Sequence, residues 1–314
     1  DKPKKSVSFS ATNQVKLIPP NNKKHRESGP PSYHQVTGST NGTSSGKKVK
    51  RKKKRRMSIR QIKDHATRQY EEFQRSKKIE VSRLGTYQGR ANGSTNGCTV
   101  ISALCASRHL ETSTGLTTPL ANQVIDQACV PLLRKIRAKL HLSAGSLIIP
   151  SDVHDHLVDS KLLFQHKFVG ATGGNILDPD HLETVVSYLH NGCDTSVGGA
   201  EMEAKKNALM GRKAAATLFF KEHVISIVKF PTSPTTAVYD LIDSMPRGGT
   251  GVGSRTRCHG TDALRVLLQW YACSKFSTSN LKYLETHPWE ESMADFDPRV
   301  FQAFVWSDQP MPKQ

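Results

Sequence analysis

HVISIVKFPTSPTTAVYDLID, residues 223–243, holds two apolar, β-branched runs on either side of a segment with two prolines. Proline cannot donate to a sheet ladder, and Pro, Ser and Thr together favour a turn, so the stretch reads as a β-hairpin. A turn centred on Ser233 sets Ile225 opposite Leu241, Ile227 opposite Tyr239, Val228 opposite Val238 and Val224 opposite Ile242. All four are apolar pairs of the kind that stabilise a sheet face. The same register predicts His223 directly across from Asp243. It turns Asp240 to the other face, across from Ser226.

Working outward, KAAATLFF (213–220) and RVFQAFVW (299–306) read as further strands. Apolar periodicity predicts helices over 99–110, 119–140, 151–159, 179–190 and 261–274, with Ser151 as the cap of the third after Pro150. Glycine-rich stretches at 170–175, 191–193 and 197–199 read as turns, and a glycine- and arginine-rich loop precedes residue 261. Helices first and an antiparallel sheet second predict an α+β fold.

Charge divides the chain. Residues 1–90 hold 24 Lys and Arg against 6 Asp and Glu, which is the whole of the net +18, while the other 224 residues hold 21 of each sign. Residues 1–56 are too poor in large apolar side chains to offset their ordering entropy, which predicts a disordered basic tail. Residues 57–80 read as a helical linker, and 81–314 as the folded domain, long enough to bury a substantial core. The six cysteines, at 98, 105, 129, 193, 258 and 273, form no CxxC pair, and no long apolar span or secretory leader is visible. Those features predict a reduced chain in the nucleus or cytoplasm, with no membrane span.

Cys98 stands where a polar, glycine-broken loop, NGSTNG at 92–97, runs into an apolar helix. A thiol attacks as thiolate, and a helix N-terminus or a neighbouring imidazolium lowers its pKa from about 8.5. Cys98 has the first advantage. His223 can supply the second, with Asp243 fixing the imidazole. Backbone N–H groups of the loop can face a developing oxyanion, and Asn92, Asn96 or Gln88 can add a side-chain donor, Asn92 being the first candidate.

Cysteine, histidine and aspartate in that chain order, the first heading a helix and the others on neighbouring strands, resemble the papain-like cysteine peptidases. His223 followed by Leu241-Ile242-Asp243-Ser244 is also similar to the His…Asp-Ser segment of SUMO-type and other ubiquitin-like proteases. Two features depart from that pattern: Cys98 precedes the histidine by 125 residues, and Val224 stands where those proteases usually carry Trp. Their oxyanion glutamine, six residues before the cysteine, corresponds to Asn92. The resemblance implies a papain-like fold, with a helical half carrying the cysteine and a sheet carrying His and Asp. It implies a thiol hydrolase of amide or isopeptide bonds with Cys98, His223, Asp243 and Asn92 as catalytic residues. Its expected partner is a protein substrate such as ubiquitin or a ubiquitin-like protein. No cofactor and no metal are expected.

Other readings stand beside this one. The same fold can serve as a non-catalytic interaction module, and a reactive thiol also suits an acyltransferase. Cys258-His259 is a rival dyad, and Asp152, His154, Asp155, His156 and His166 are a set with zinc-ligand chemistry, but no second cluster of standard spacing completes the site and SDVHDH reads first as a capped, exposed polar helix start. Cys105, Cys129 and Cys273 lie in apolar helix patterns and read as core. KKVKRKKKRR, residues 47–56, reads as a patch for a nuclear-import receptor or an anionic surface. Arg55-Arg56-Met57-Ser58 resembles a basophilic-kinase site, and KSVSF, residues 5–9, resembles the docking motif for protein phosphatase 1.

Overall fold

The hairpin forms, but two residues out of the expected register. In the computed structural model, Ser226 lies across from Ile242, Ile227 from Leu241, Val228 from Asp240 and Pro231 from Ala237. The turn centres on Pro234: the Ser233 hydroxyl accepts from the N–H groups of Thr235 and Thr236, and the N–H groups of Thr232 and Ser233 donate to the Thr236 carbonyl. Side chains alternate with period two, so a two-residue shift changes every partner and leaves every face intact. His223 and Asp243 are therefore diagonal neighbours on one face, and Asp240 stays on the other.

The structure describes residues 57–192, 209–246, 251–290 and 297–311. The expected tail over 1–56, including the 47–56 and 5–9 segments, lies outside the described residues, as does Cys193. Strands β1 (Ile79–Arg83), β2 (Phe168–Asn175), β3 (Ala214–Phe220), β4 (His223–Pro231), β5 (Ala237–Asp243), β6 (Ser254–His259) and β7 (Val300–Ser307) form one antiparallel sheet in the order β1-β6-β5-β4-β3-β7-β2. The α+β expectation holds at that level, a mixed helical and antiparallel fold.

Helices cover both faces of the sheet. Against one pack α1 (Ile59–Arg75), α6 (Pro179–Asn191), α7 (Thr261–Lys275) and α8 (Thr278–Thr286), around Leu218, Ile227, Tyr239 and Leu241. Against the other pack α2 (Cys98–Glu111), α3 (Thr118–Gln123), a π-helical turn (Val124–Ala128), α4 (Cys129–Lys139) and α5 (Pro150–Asp159), around Ala215, Val228, Ile242 and Trp306. The central strands are buried on both faces, which explains why 214–220 and 224–228 read as continuous apolar runs rather than alternating ones.

Helix α2 is buried almost all round, and most of its turns carry apolar or small side chains. Its small polar residues each find a carbonyl: Thr99 that of Ile148 at 2.9 Å, Ser102 that of Val224 at 2.8 Å, and Ser107 that of Leu162 at 2.7 Å. These bonds fix α2 against β4 and the 148 and 162 loops, and so fix Cys98 at its head.

Several expectations are corrected. Residues 57–80 are no linker: α1 buries Ile59, Ala66 and Tyr70, and Tyr70 stacks on Trp270 of α7 with ring centroids 3.8 Å apart. Ile79 then enters the sheet. The turn expected at 170–175 is strand β2, and the glycine- and arginine-rich loop contains β6. Helix α5 is capped from Ile149, with Pro150 in its first turn, rather than from Ser151. Its start is not an exposed polar one either, because His154 and His156 are both buried.

Candidate active site

The site forms where the head of α2 meets the ends of β4 and β5. Cys98 is the first residue of α2, after Gly97, and only 3% exposed. His223 opens β4, and Asp243 closes β5 with no exposed surface. His223 Nε2 meets Asp243 Oδ1 at 2.8 Å, spanning the diagonal that the shifted register creates. The Cys98 thiol is coupled to the same imidazole, and each group shifts the other's acidity.

The charges follow from these contacts. Burial pushes the Cys98 thiol up, but the hydrogen bond and charge of His223 outweigh it, and the thiol lies below its ordinary value. The unsatisfied N–H groups at the head of α2 favour the thiolate further. Burial would also push His223 down, but the hydrogen bonds to Asp243 and Cys98 raise it to about 9. Asp243 is opposed by burial and lowered to about 2 by His223, with Lys275 and the Met245 N–H assisting. The arrangement thus favours a thiolate and an imidazolium side by side, oriented by a carboxylate.

Asp243 is held from four sides. Oδ1 also accepts from the Met245 N–H at 3.0 Å, while Oδ2 accepts from the Tyr271 hydroxyl at 3.3 Å and faces Lys275 Nζ at 3.7 Å. Tyr271 and Lys275 come from α7, a helix whose periodicity was legible but whose contact with Asp243 was not. Asp240, on the opposite face, is a separate structure: it is fully buried and holds the guanidinium groups of Arg255 and Arg257.

The loop before Cys98 closes the site. Among the oxyanion candidates, Asn92 is exposed and Asn96 donates its amide to the Gly145 carbonyl at 2.8 Å. Gln88 lies against the residue after Asp243: its N–H donates to the Ser244 carbonyl at 2.8 Å, and the Ser244 hydroxyl donates to Gln88 Oε1 at 3.3 Å.

The rival thiol and metal sets are not assembled. Cys258 and His259 are consecutive on β6, so they point to opposite faces; Cys258 is buried and pushed well up by that burial, while His259 faces Glu80 at 3.6 Å. His154 is sandwiched near Phe304 and Trp306 and contacts the Thr217 hydroxyl, and His156 is buried elsewhere in the core. Among the described residues no group of three or more His, Cys, Asp and Glu could hold a metal. Cys105 and Cys129 are buried, and burial lifts each to about 12. No helix among the described residues is long and apolar enough to cross a membrane.

No protein-family model matches the chain, and no curated protein matches it in sequence. A solved structure is similar over 72% of this chain and 84% of its own, at 8% identity and a TM-score of 0.40: the ubiquitin-specific protease encoded by a murine cytomegalovirus tegument protein, in complex with a ubiquitin-based suicide substrate.

Proposed function

We propose that the protein is a thiol hydrolase cleaving an amide or isopeptide bond through an acyl-enzyme. The observation that carries this reading is one imidazole, His223, bound to the Asp243 carboxylate at 2.8 Å and coupled to the buried Cys98 thiol, whose pKa it lowers. Cys98 Sγ attacks the scissile carbonyl, forming the C–S bond while the carbonyl electron pair moves to oxygen. His223 gives its proton to the leaving amine as the C–N bond breaks. It then takes a proton from the water that attacks the thioester, and the thiolate leaves. Asp243 keeps the imidazole oriented and its cation favoured. The oxyanion is met by N–H groups at the head of α2 and by the Gln88 amide, which takes the role expected of Asn92.

Ubiquitin and its relatives are the first acyl donors to try, because the His223…Asp243-Ser244 segment resembles that of ubiquitin-like proteases. The test is incubation with ubiquitin and SUMO carrying electrophilic C-termini, alongside iodoacetamide titrated against pH. The reading expects modification confined to Cys98 and lost in His223→Ala. Slow labelling spread over several cysteines sinks it, and iodoacetamide selectivity without reaction of either protein probe points to another amide substrate. The basic run 47–56 supports nuclear import. Unchanged nuclear accumulation after replacing its lysines and arginines with alanine overturns that assignment.

A further inference from the structure

We propose that Ser94 is a positioning residue for this reaction, a knot that brings the Gln88 amide and the Cys98 thiol to one carbonyl; this rests on the hydrolase reading above. Gln88 and Cys98 are ten residues apart, a separation that an extended chain stretches to roughly 33 Å. They can share an oxyanion only if the loop between them is folded back.

Ser94 does this with every polar group it has. It has no exposed surface, although it sits in the polar stretch NGSTNG. Its hydroxyl accepts from the Gly89 N–H at 2.9 Å and donates to the Ala91 carbonyl at 2.7 Å. Its N–H donates to the same Ala91 carbonyl at 3.0 Å, and its own carbonyl accepts from the Gly97 N–H at 3.1 Å. Gly89 follows Gln88 and Gly97 precedes Cys98, so one buried residue grips both ends of the loop. Gly97 must be glycine for this, because a Cβ there would lie 2.8 Å from the Ser94 carbonyl oxygen. At the other end, Ser244 takes Gln88 Oε1 and leaves the NH2 as the donor end of the amide.

A donor that is misplaced by about 1 Å can cost on the order of 100-fold in rate. Ser94 therefore acts on the oxyanion side of the reaction and not on thiol ionisation, which belongs to His223. Two reagents separate those effects. Iodoacetamide alkylates Cys98 without creating an oxyanion. The aldehyde acetyl-Gly-glycinal adds reversibly to Cys98: the Sγ–C bond forms, the carbonyl pair moves to oxygen, and no group leaves.

In Ser94→Ala the alkylation rate and its pH profile are expected to stay within about twofold of wild type, while protection of Cys98 by the aldehyde weakens about tenfold or more. Gln88→Ala should weaken protection similarly, and the double variant should add little to either single change. Unchanged protection in Ser94→Ala overturns the proposal, as does a double variant whose loss is the product of the two single losses. If Ser94→Ala does not fold, Ser94→Cys, close in size but a poor hydrogen-bond acceptor, carries the same expectations and the same refutations. A wild-type protein that alkylates at Cys98 but gains no protection from the aldehyde counts against the hydrolase reading itself.

Discussion

Burial alone would make Cys98 a weaker acid, and a single imidazole reverses the outcome. Alkylation of Cys98 should therefore show an apparent pKa below the ordinary thiol value of about 8.5. In His223→Ala burial, the first-ranked influence, is opposed only by the lesser hydrogen bonds of Val224 and Thr99 and by the head of α2, so that pKa should rise. An unshifted pKa in the variant refutes the pairing. Turnover should follow a bell, rising as the Cys98 thiol ionises and falling as His223 loses its proton near about 9. Cys105, seven residues further along α2 and lifted to about 12, is the internal control and should stay unlabelled at neutral pH. Asp243→Asn keeps the shape and removes the charge. It should lower kcat by about 10²- to 10⁴-fold, the scale of a positioned acid–base group, and move the basic limb of the profile to lower pH. A variant that turns over at the wild-type rate removes Asp243 from the mechanism.

At the scale of elements, the first helix is the clearest departure from expectation. Helix α1 is amphipathic, and its buried residues Ile59, Ala66 and Tyr70 reach the core through Tyr70 stacked on Trp270. Tyr70→Ala should lower stability by about 3 kcal/mol, measured by urea unfolding, as expected for removing a buried aromatic side chain. No change would place α1 outside the cooperative unit. From sequence its sparse apolar positions suggested a tether, because nothing local says that a facing aromatic waits on α7. Strands β3, β4, β5 and β7 were legible from long β-branched and aromatic runs. Strands β2 and β6 were not: FVGATGGN carries five consecutive small residues in the middle of an edge strand, and SRTRCH buries only small or sulfur-bearing side chains. The pairing of His223 with Asp243 was legible because the hairpin's face is robust to a two-residue slip. The Tyr271 and Lys275 contacts and the Ser94 knot were not, since they depend on how distant elements dock and on how a glycine-rich loop closes.

At the scale of the whole molecule, burial favours the neutral form of several imidazoles, His109 and His154 most strongly. His109 takes the Leu116 N–H on Nδ1 and meets the Lys229 carbonyl through Nε2 at 2.9 Å; burial lowers it to about 4. His154 is lowered to about 3 by burial. Both folded values lie below the unfolded value of about 6.5, so the unfolded chain binds more protons in between. Their contribution is complete above about pH 6.5 and declines as the pH falls toward 4. At pH 5 each should cost about 2 kcal/mol relative to neutral pH. His223, raised instead, opposes this only weakly over the same interval. The urea midpoint should therefore fall between pH 7 and pH 5, and a flat or rising midpoint would show that these imidazoles are solvated.

Cys98 belongs to a helix lying on one face of the sheet, whereas the carboxylate that orients its partner is clasped by a helix lying on the other. The imidazole is the hinge pin between the two layers, reached 125 residues after the thiol. A nascent or half-denatured chain with only one layer in place thus carries an ordinary, sluggish sulfhydryl. Reactivity arrives last, when the sandwich closes, and the thiol is armed only once the chain has finished folding.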